Sequence, residues 1–156
     1  GGYPAMPGSE QAHLVDSADT LAHMKIYFAA SIRGGRDAED RYRLLIDEHS
    51  RHGTVPPEHL AHPDDVEKGM TDREIYERDM AWLREADVMV AEVTTPSLGV
   101  GYEIASAEQS GKPILCLFRT SNGRSLSAMI SGSEGLTVVE YEEFVEAKAA
   151  IEEFLA

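Results

Sequence analysis

From Lys25 onward, short apolar runs rich in β-branched residues alternate with stretches in which apolar residues recur every three or four positions. The first pattern predicts strands and the second amphipathic helices. Strands are expected at Lys25–Ala30, weakly at Gly53–Val55, and at Asp87–Val93, Pro113–Phe118 and Leu136–Glu140. Between them, Asp37–His52 reads as a helix with Tyr42, Leu45, Ile46 and His49 along one side. Thr71–Ala86 reads as another, opened by the capping box Thr71-Asp72-Arg73-Glu74. Gly101–Ser110 should be a helix stopped by Gly111 and Pro113, and Leu126–Ser131 a short one. A terminal helix over Glu142–Leu155 would turn Phe144, Ile151 and Phe154 or Leu155 inward. Pro56–Met70 carries no period and is expected to be loop. Gly1 to about His23 also lacks one, which predicts a disordered segment or a remnant of cloning ahead of one domain over 24–156.

Strands alternating with crossover helices imply a three-layer αβα architecture on a five-stranded parallel sheet of the Rossmann or flavodoxin-like kind. Ligands of such sheets bind beyond the carboxyl ends of the strands, near a switch in strand order. The loops after the first, third and fourth strands are therefore where chemistry is expected.

Composition narrows the field. The 156 residues match the ~150 of one compact domain, and 42% hydrophobic with 27% charged residues is globular rather than fibrous or disordered. Asp plus Glu number 28 against 14 Lys plus Arg, and the resulting net charge of −14 repels polyphosphate, which argues against a nucleic acid polymer as partner. A small anion would need a local positive pocket. The only cysteine, Cys116, sits in the apolar run Ile114–Phe118, as expected of a buried, inert thiol, so no disulfide framework forms within the chain. No apolar stretch approaches the ~18–20 residues of a membrane span. With no charged-then-apolar leader either, the expectation is a cytoplasmic protein, or a nuclear one, without membrane partners.

The first strand ends in Ser31-Ile32-Arg33-Gly34-Gly35-Arg36, where glycines free backbone N–H groups to face an anion and arginines add charged donors. A phosphate cradle is one reading, and a plain turn with solvated arginines is the other. The spacing is neither a P-loop nor a dinucleotide fingerprint, which disfavours nucleoside triphosphates and NAD. The third strand runs into Thr94-Thr95-Pro96-Ser97-Leu98-Gly99-Val100-Gly101-Tyr102-Glu103, a second candidate anion loop. Glu103 would lie in the first helical turn, where the macrodipole favours its ionised form. There it serves either as a nucleophile or simply as a dipole-compensating acid. The spacing Ile75, Asp79, Trp82, Leu83, Ala86 puts Asp79 on an apolar stripe, so it needs a partner such as a neighbouring arginine or a role in acid–base chemistry. Tyr27 lies inside the first strand, either packed in the core or pointing its hydroxyl at the sheet end. His49, His52, His59 and His62 form two HxxH spacings without the HExxH of zinc hydrolases, so no metal site is expected. Glu58 and His59 would instead line the site from the loop after the second strand.

Taken together, Tyr27-Phe28-Ala29-Ala30-Ser31-Ile32-Arg33-Gly34-Gly35-Arg36, Ala91–Glu103 and Ile114–Arg119 resemble the 2′-deoxynucleoside 5′-phosphate N-hydrolases, relatives of the nucleoside 2-deoxyribosyltransferases. The likeness extends to Glu58-His59, Asp79–Leu83 and Leu126–Ile130, so it covers roughly Lys25 to Ser131. It implies that Ser31, Ile32, Arg33, Gly34 and Gly35, with Ser97 and Gly99, hold a 5′-phosphate. It further implies that Glu103 attacks C1′ of the sugar, that Asp79 assists departure of the base, and that Tyr27 approaches the sugar and the catalytic carboxylate. Ser127 and Met129 would reach the site of the neighbouring subunit in a homodimer with composite active sites. The expected activity is hydrolysis of a small-molecule deoxynucleotide to free base and 2-deoxyribose 5-phosphate without metal or organic cofactor. Deoxyribosyl transfer and non-catalytic nucleotide sensing are the alternatives. Ala30 stands where the family has glycine, and the stretch from His59 to Asp79 looks shorter than in its animal members.

Overall fold

The computed structural model describes residues 24–31, 35–56, 67–120 and 123–156. The elements run β1 (Ile26–Ala30), α1 (Gly35–Ser50), α2 (Asp72–Glu85), β2 (Val88–Glu92), α3 (Leu98–Gln109), β3 (Ile114–Arg119), α4 (Ala128–Ser131), β4 (Thr137–Tyr141) and α5 (Phe144–Leu155). The sheet is parallel throughout, in the order β1-β2-β3-β4. The expected disordered segment over 1–23 lies outside the described residues.

Among the described residues the sheet has four strands, not the expected five. Gly53–Val55 does run beside the outer edge of β1, where Ile26 N donates to Thr54 O at 2.9 Å and Thr54 N to Met24 O at 2.7 Å. The pairing stops at one parallel bridge, Lys25 to Thr54, because Pro56 has no N–H with which to continue the ladder. Gly53 lets the two backbones approach, since a Cβ there would stand 2.4 Å from Met24 O. Thr54 thus lies against one side of β1 and β2 pairs with the other, which puts the switch in strand order between β1 and β2.

Alternation along each strand sends side chains to two separate cores. On one face Ile26, Phe28, Val90, Leu115 and Leu117 pack with Leu45 and Ile46 of α1 and Ala147, Ile151 and Leu155 of α5. On the other, Tyr27, Ala29, Met89, Ala91 and Cys116 pack with Leu83 of α2 and Val100, Ile104 and Ala107 of α3. The three-layer αβα arrangement follows. Each fully buried Leu, Ile or Phe contributes about 1.5–3 kcal/mol through water released from its surface. Cys116 is fully buried, and burial pushes its thiol up to about 12, so it is no nucleophile.

Both ends of α2 are closed. The Thr71 hydroxyl oxygen accepts from Glu74 N at 3.2 Å while Glu74 Oε1 accepts from Thr71 N at 3.2 Å, and Lys112 Nζ donates to Arg84 O and Ala86 O at the far end. This fixes the rotation of α2, and with it the direction of Asp79. On α1, His49 is fully buried against Phe28 with 4.6 Å between ring centres. Its Nδ1–H donates to Leu45 O at 2.5 Å, whereas Nε2 has no partner among the described residues, and burial lowers its pKa to about 4. No helix among the described residues is long and apolar enough to cross a membrane.

Candidate active site

Tyr27 leaves β1 on the α2/α3 side of the sheet, where its hydroxyl donates to Oε2 of Glu103 on α3. Tyr27 is 2% exposed, and burial, reinforced by the adjacent Glu103 charge, holds its phenol far above the usual range. It therefore stays protonated, a hydrogen-bond donor to Glu103.

Glu103 is the group with unusual electrostatics. Burial raises its pKa to about 7, the hydrogen bond from Tyr27 opposes that rise, and the negative charges of Asp79 and Glu67 add to it. This corrects the expectation from the sequence. The helix begins at Leu98, three residues before the predicted Gly101, so Glu103 falls in its second turn and dehydration outweighs any help from the macrodipole. The earlier start has a local cause: Ser97 is the N-cap, its hydroxyl accepting from Val100 N at 3.3 Å.

Asp79 has the arginine partner that its position on α2 called for. Its Oδ1 accepts from Arg78 Nε at 3.1 Å and lies 3.0 Å from Nη2, and the same guanidinium reaches Glu67 Oε1 at 3.0 Å and covers the Trp82 ring at 5.0 Å. Asp79 nonetheless stays close enough to Glu103 and Tyr27 to bias both electrostatically. The sequence calls for an arginine beside Asp79 without singling out Arg78, and Glu67, in the unpatterned Pro56–Met70 stretch, carries no periodic signal.

The proposed phosphate residues distribute as follows. Ser31, at the end of β1, lines a small cavity of about 40 Å³ with Arg41, Glu92, Thr94 and Thr95, in the crevice where the strand order switches. Gly35 is the first residue of α1. Ile32, Arg33, Gly34, Glu58 and His59 lie outside the described residues. Gly99 and Gly101 are helical with ordinary backbone angles, and a Cβ on either would meet nothing closer than Ser97 Oγ at 3.9 Å. Neither glycine is required by the fold of this chain.

Ser127 and Met129 belong to a different surface. Ser127 caps α4, its oxygen accepting from Met129 N at 3.3 Å, and Met129 is 82% exposed. Together with Ser97, Ile104, Glu108 and Leu126 they line a groove of about 340 Å³ between α3 and α4. Tyr27, Asp79 and Glu103 do not line it. Within one chain, then, the carboxyl cluster and the Ser127 groove are separate, and Ser97 at the head of α3 belongs to the groove.

As for metal ligation, Glu48, His52 and Glu152 each bring one ligating atom within 4.8 Å of the others. The Glu48 carboxylate there is already engaged by His52 Nε2 at 3.0 Å and Arg51 Nη1 at 3.7 Å, so this donor set does not call for an ion.

Comparison with known proteins identifies the family. A family model described as nucleoside 2-deoxyribosyltransferase matches residues 26–147. A mouse protein named 5-hydroxymethyl-dUMP N-hydrolase is 52% identical over 117 residues, covering 72% of this chain and 68% of the relative. A human protein of the same name is 48% identical over 125 residues, covering 76% of this chain and 72% of the relative. Among solved structures, a Clostridium botulinum CMP N-glycosidase superposes with a TM-score of 0.62 over 83% of this chain and 99% of that one, at 17% identity, a likeness of fold. The parallel sheet and the match across 26–147, with relatives about half identical in sequence, lead to one assignment: the chain belongs to the nucleoside 2-deoxyribosyltransferase family.

Proposed function

We propose that the protein is an N-glycosidase that hydrolyses 2′-deoxynucleoside 5′-monophosphates to a free base and 2-deoxyribose 5-phosphate. The observation that carries the reading is Glu103: a dehydrated carboxyl with a pKa near 7, hydrogen-bonded by a tyrosine that stays protonated and under the charge of a second acid, Asp79. The mouse and human relatives are named for a substrate, 5-hydroxymethyl-dUMP, that is itself a deoxynucleoside monophosphate.

In the proposed reaction, ionised Glu103 forms a bond to C1′ as the bond from C1′ to the base nitrogen breaks. In this reading the base takes a proton from Asp79 as it leaves. Water then attacks C1′ and gives a proton back to Asp79, which frees the sugar phosphate and returns Glu103 to the carboxylate. Positive charge developing on the sugar favours the ionised form of Glu103 in the transition state, so a carboxyl that resists ionisation in the free enzyme becomes a strong stabiliser once the sugar is above it.

Ser31, Ile32, Arg33, Gly34 and Gly35, with Ser97 and Gly99, are assigned to the 5′-phosphate, and Glu58 and His59 to the base side. Ser127 and Met129 are assigned to the site of a second copy. A homodimer with composite sites is supported by the separation of the Ser127 groove from Glu103 and by the exposure of Leu98 at 96% and Met129 at 82%.

One chromatographic panel tests the reading: deoxy- and ribonucleoside monophosphates, 5-hydroxymethyl-dUMP and the matching nucleosides, each with and without an added second base. Deoxynucleotides should release base at least ~100-fold faster in kcat/KM than their nucleosides, because binding the phosphate fixes C1′ over Glu103. Equal turnover of the two would refute the phosphate assignment, and formation of a new nucleoside from the added base would make the enzyme a transferase.

A second expectation concerns Tyr27. Only the ionised Glu103 attacks, so kcat/KM should rise with pH through about 7 in the wild type. Tyr27→Phe removes the donor that favours ionisation and should move this acid limb upward by about one pH unit, given the ~1.5–3 kcal/mol of a charge-assisted hydrogen bond. An unmoved limb in the pH–rate profile would separate Tyr27 from Glu103 in function.

A further inference from the structure

A second tyrosine–glutamate pair lies at the carboxyl ends of β2 and β4. The Tyr141 hydroxyl donates to Oε2 of Glu92, the last residue of β2. By alternation, Ala91 faces the α2/α3 side and Glu92 the α1/α5 side, so the two pairs lie on opposite faces of one sheet. The catalytic reading makes no use of this second pair.

Its connections point to the loop that follows β2. Glu92 Oε1 accepts from Thr94 N at 2.7 Å, and Thr94 Oγ1 accepts from Arg119 N at 2.8 Å, at the end of β3. The Thr94 hydroxyl also bonds to that of Tyr141, at the end of β4. Thr94 is thus fixed on both its backbone and its side chain by the ends of three strands. The next residue, Thr95, lines the Ser31 cavity, and Ser97, three positions on, is the cap of α3. Burial, then the neighbouring Glu92 charge, holds the Tyr141 phenol well above its ordinary range, so it stays a donor.

We propose that Glu92 and Tyr141 are positioning residues that hold the Thr94–Ser97 loop, and with it the Ser97 end of α3, in the conformation that receives the substrate phosphate. The phosphate part of this inference rests on the function proposed above. Two donors, the Thr94 N–H and the Tyr141 O–H, converge on one side chain, which requires two acceptor atoms or their equivalent. A glutamine satisfies this, because its carbonyl accepts from Thr94 while the Tyr141 hydroxyl rotates to accept from its amide. A leucine satisfies neither and leaves the Thr94 N–H without a partner.

The test compares Glu92→Leu, Glu92→Gln and Tyr141→Phe in steady-state hydrolysis of a deoxynucleoside monophosphate and in calorimetric binding of 2-deoxyribose 5-phosphate, at temperatures well below each variant's Tm. Glu92→Leu should raise KM and the sugar-phosphate Kd about tenfold or more with kcat changed less than about threefold, Tyr141→Phe should raise both constants about fivefold, and Glu92→Gln should stay within about threefold of wild type. Folded Glu92→Leu with wild-type KM and Kd would overturn the proposal, as would loss of kcat at constant KM. If Glu92→Leu fails to fold, Tyr141→Phe decides alone, and wild-type constants there refute the inference. Wild-type protein that binds 2-deoxyribose 5-phosphate but releases no base from any monophosphate would refute the hydrolase reading instead, while the binding series would still judge the brace.

Discussion

Replacing Glu103 with glutamine is expected to lower kcat by at least ~10³-fold while leaving the Kd of a deoxynucleoside monophosphate within about threefold. Glutamine keeps the shape and an acceptor for Tyr27 but offers no carboxylate to C1′. Intact-mass measurement during turnover of a slow substrate should find a deoxyribose-phosphate adduct on the wild type and none on the variant. Methanolysis should give the sugar phosphate with retained configuration at C1′, as two displacements require. The same substitution should stabilise the fold at neutral pH. With a folded pKa of about 7, well above the unfolded carboxyl's 4.5, the native state holds its proton more tightly, so wild-type stability is lost as pH rises between those values. The Tm of Glu103→Gln should accordingly draw ahead of wild type across that interval. Wild-type activity in this variant, or an adduct on another residue, would end the assignment.

Asp79→Asn is expected to cost ~10²–10⁴ in kcat, the usual worth of a positioned proton-transfer group, and to move the acid limb of kcat/KM below about 7. The shift has a definite sign because the Asp79 charge helps to raise the pKa of Glu103. Removing it lets Glu103 ionise at lower pH, opposite in direction to Tyr27→Phe. The loss of activity should therefore be smaller at pH 6 than at pH 8. A fall in Tm with neither a kinetic loss nor a displaced limb would mean that Asp79 serves only its pairing with Arg78, 3.0 Å away.

What the sequence revealed follows from which forces act locally. The α1 stripe Leu45, Ile46 and His49 is buried as the period predicts, and the Thr71 capping box forms as its spacing predicts, because both depend on contacts within a few residues. The faint Gly53–Val55 segment failed as a strand because its pairing was decided at the far side, by Pro56 and by how closely Met24 comes. The start of α3 was misplaced by three residues because two glycines in its first turns argue against a helix, and Ser97 capping overrides them. Glu103 was legible as a candidate, but its pKa was not. That value depends on dehydration and on Asp79 and Glu67, contributed by distant parts of the chain. The Glu92–Tyr141 pair, 49 residues apart, left no local signature at all.

The helix α3 gathers residues that the isolated chain would hold more firmly without. Gly99 and Gly101 sit in helical geometry with room for a Cβ, and alanine at either would add about 0.4–1 kcal/mol. Glu103, on the same helix, is dehydrated against its own preference for water. A laboratory selection for heat tolerance alone would therefore converge on this one element, enriching alanines at 99 and 101 and neutral residues at 103, and the winners would be sturdy and inert. Read in reverse, a position where such a selection repeatedly trades survival at high temperature for lost turnover marks the substrate's footprint, without any ligand having to be seen bound.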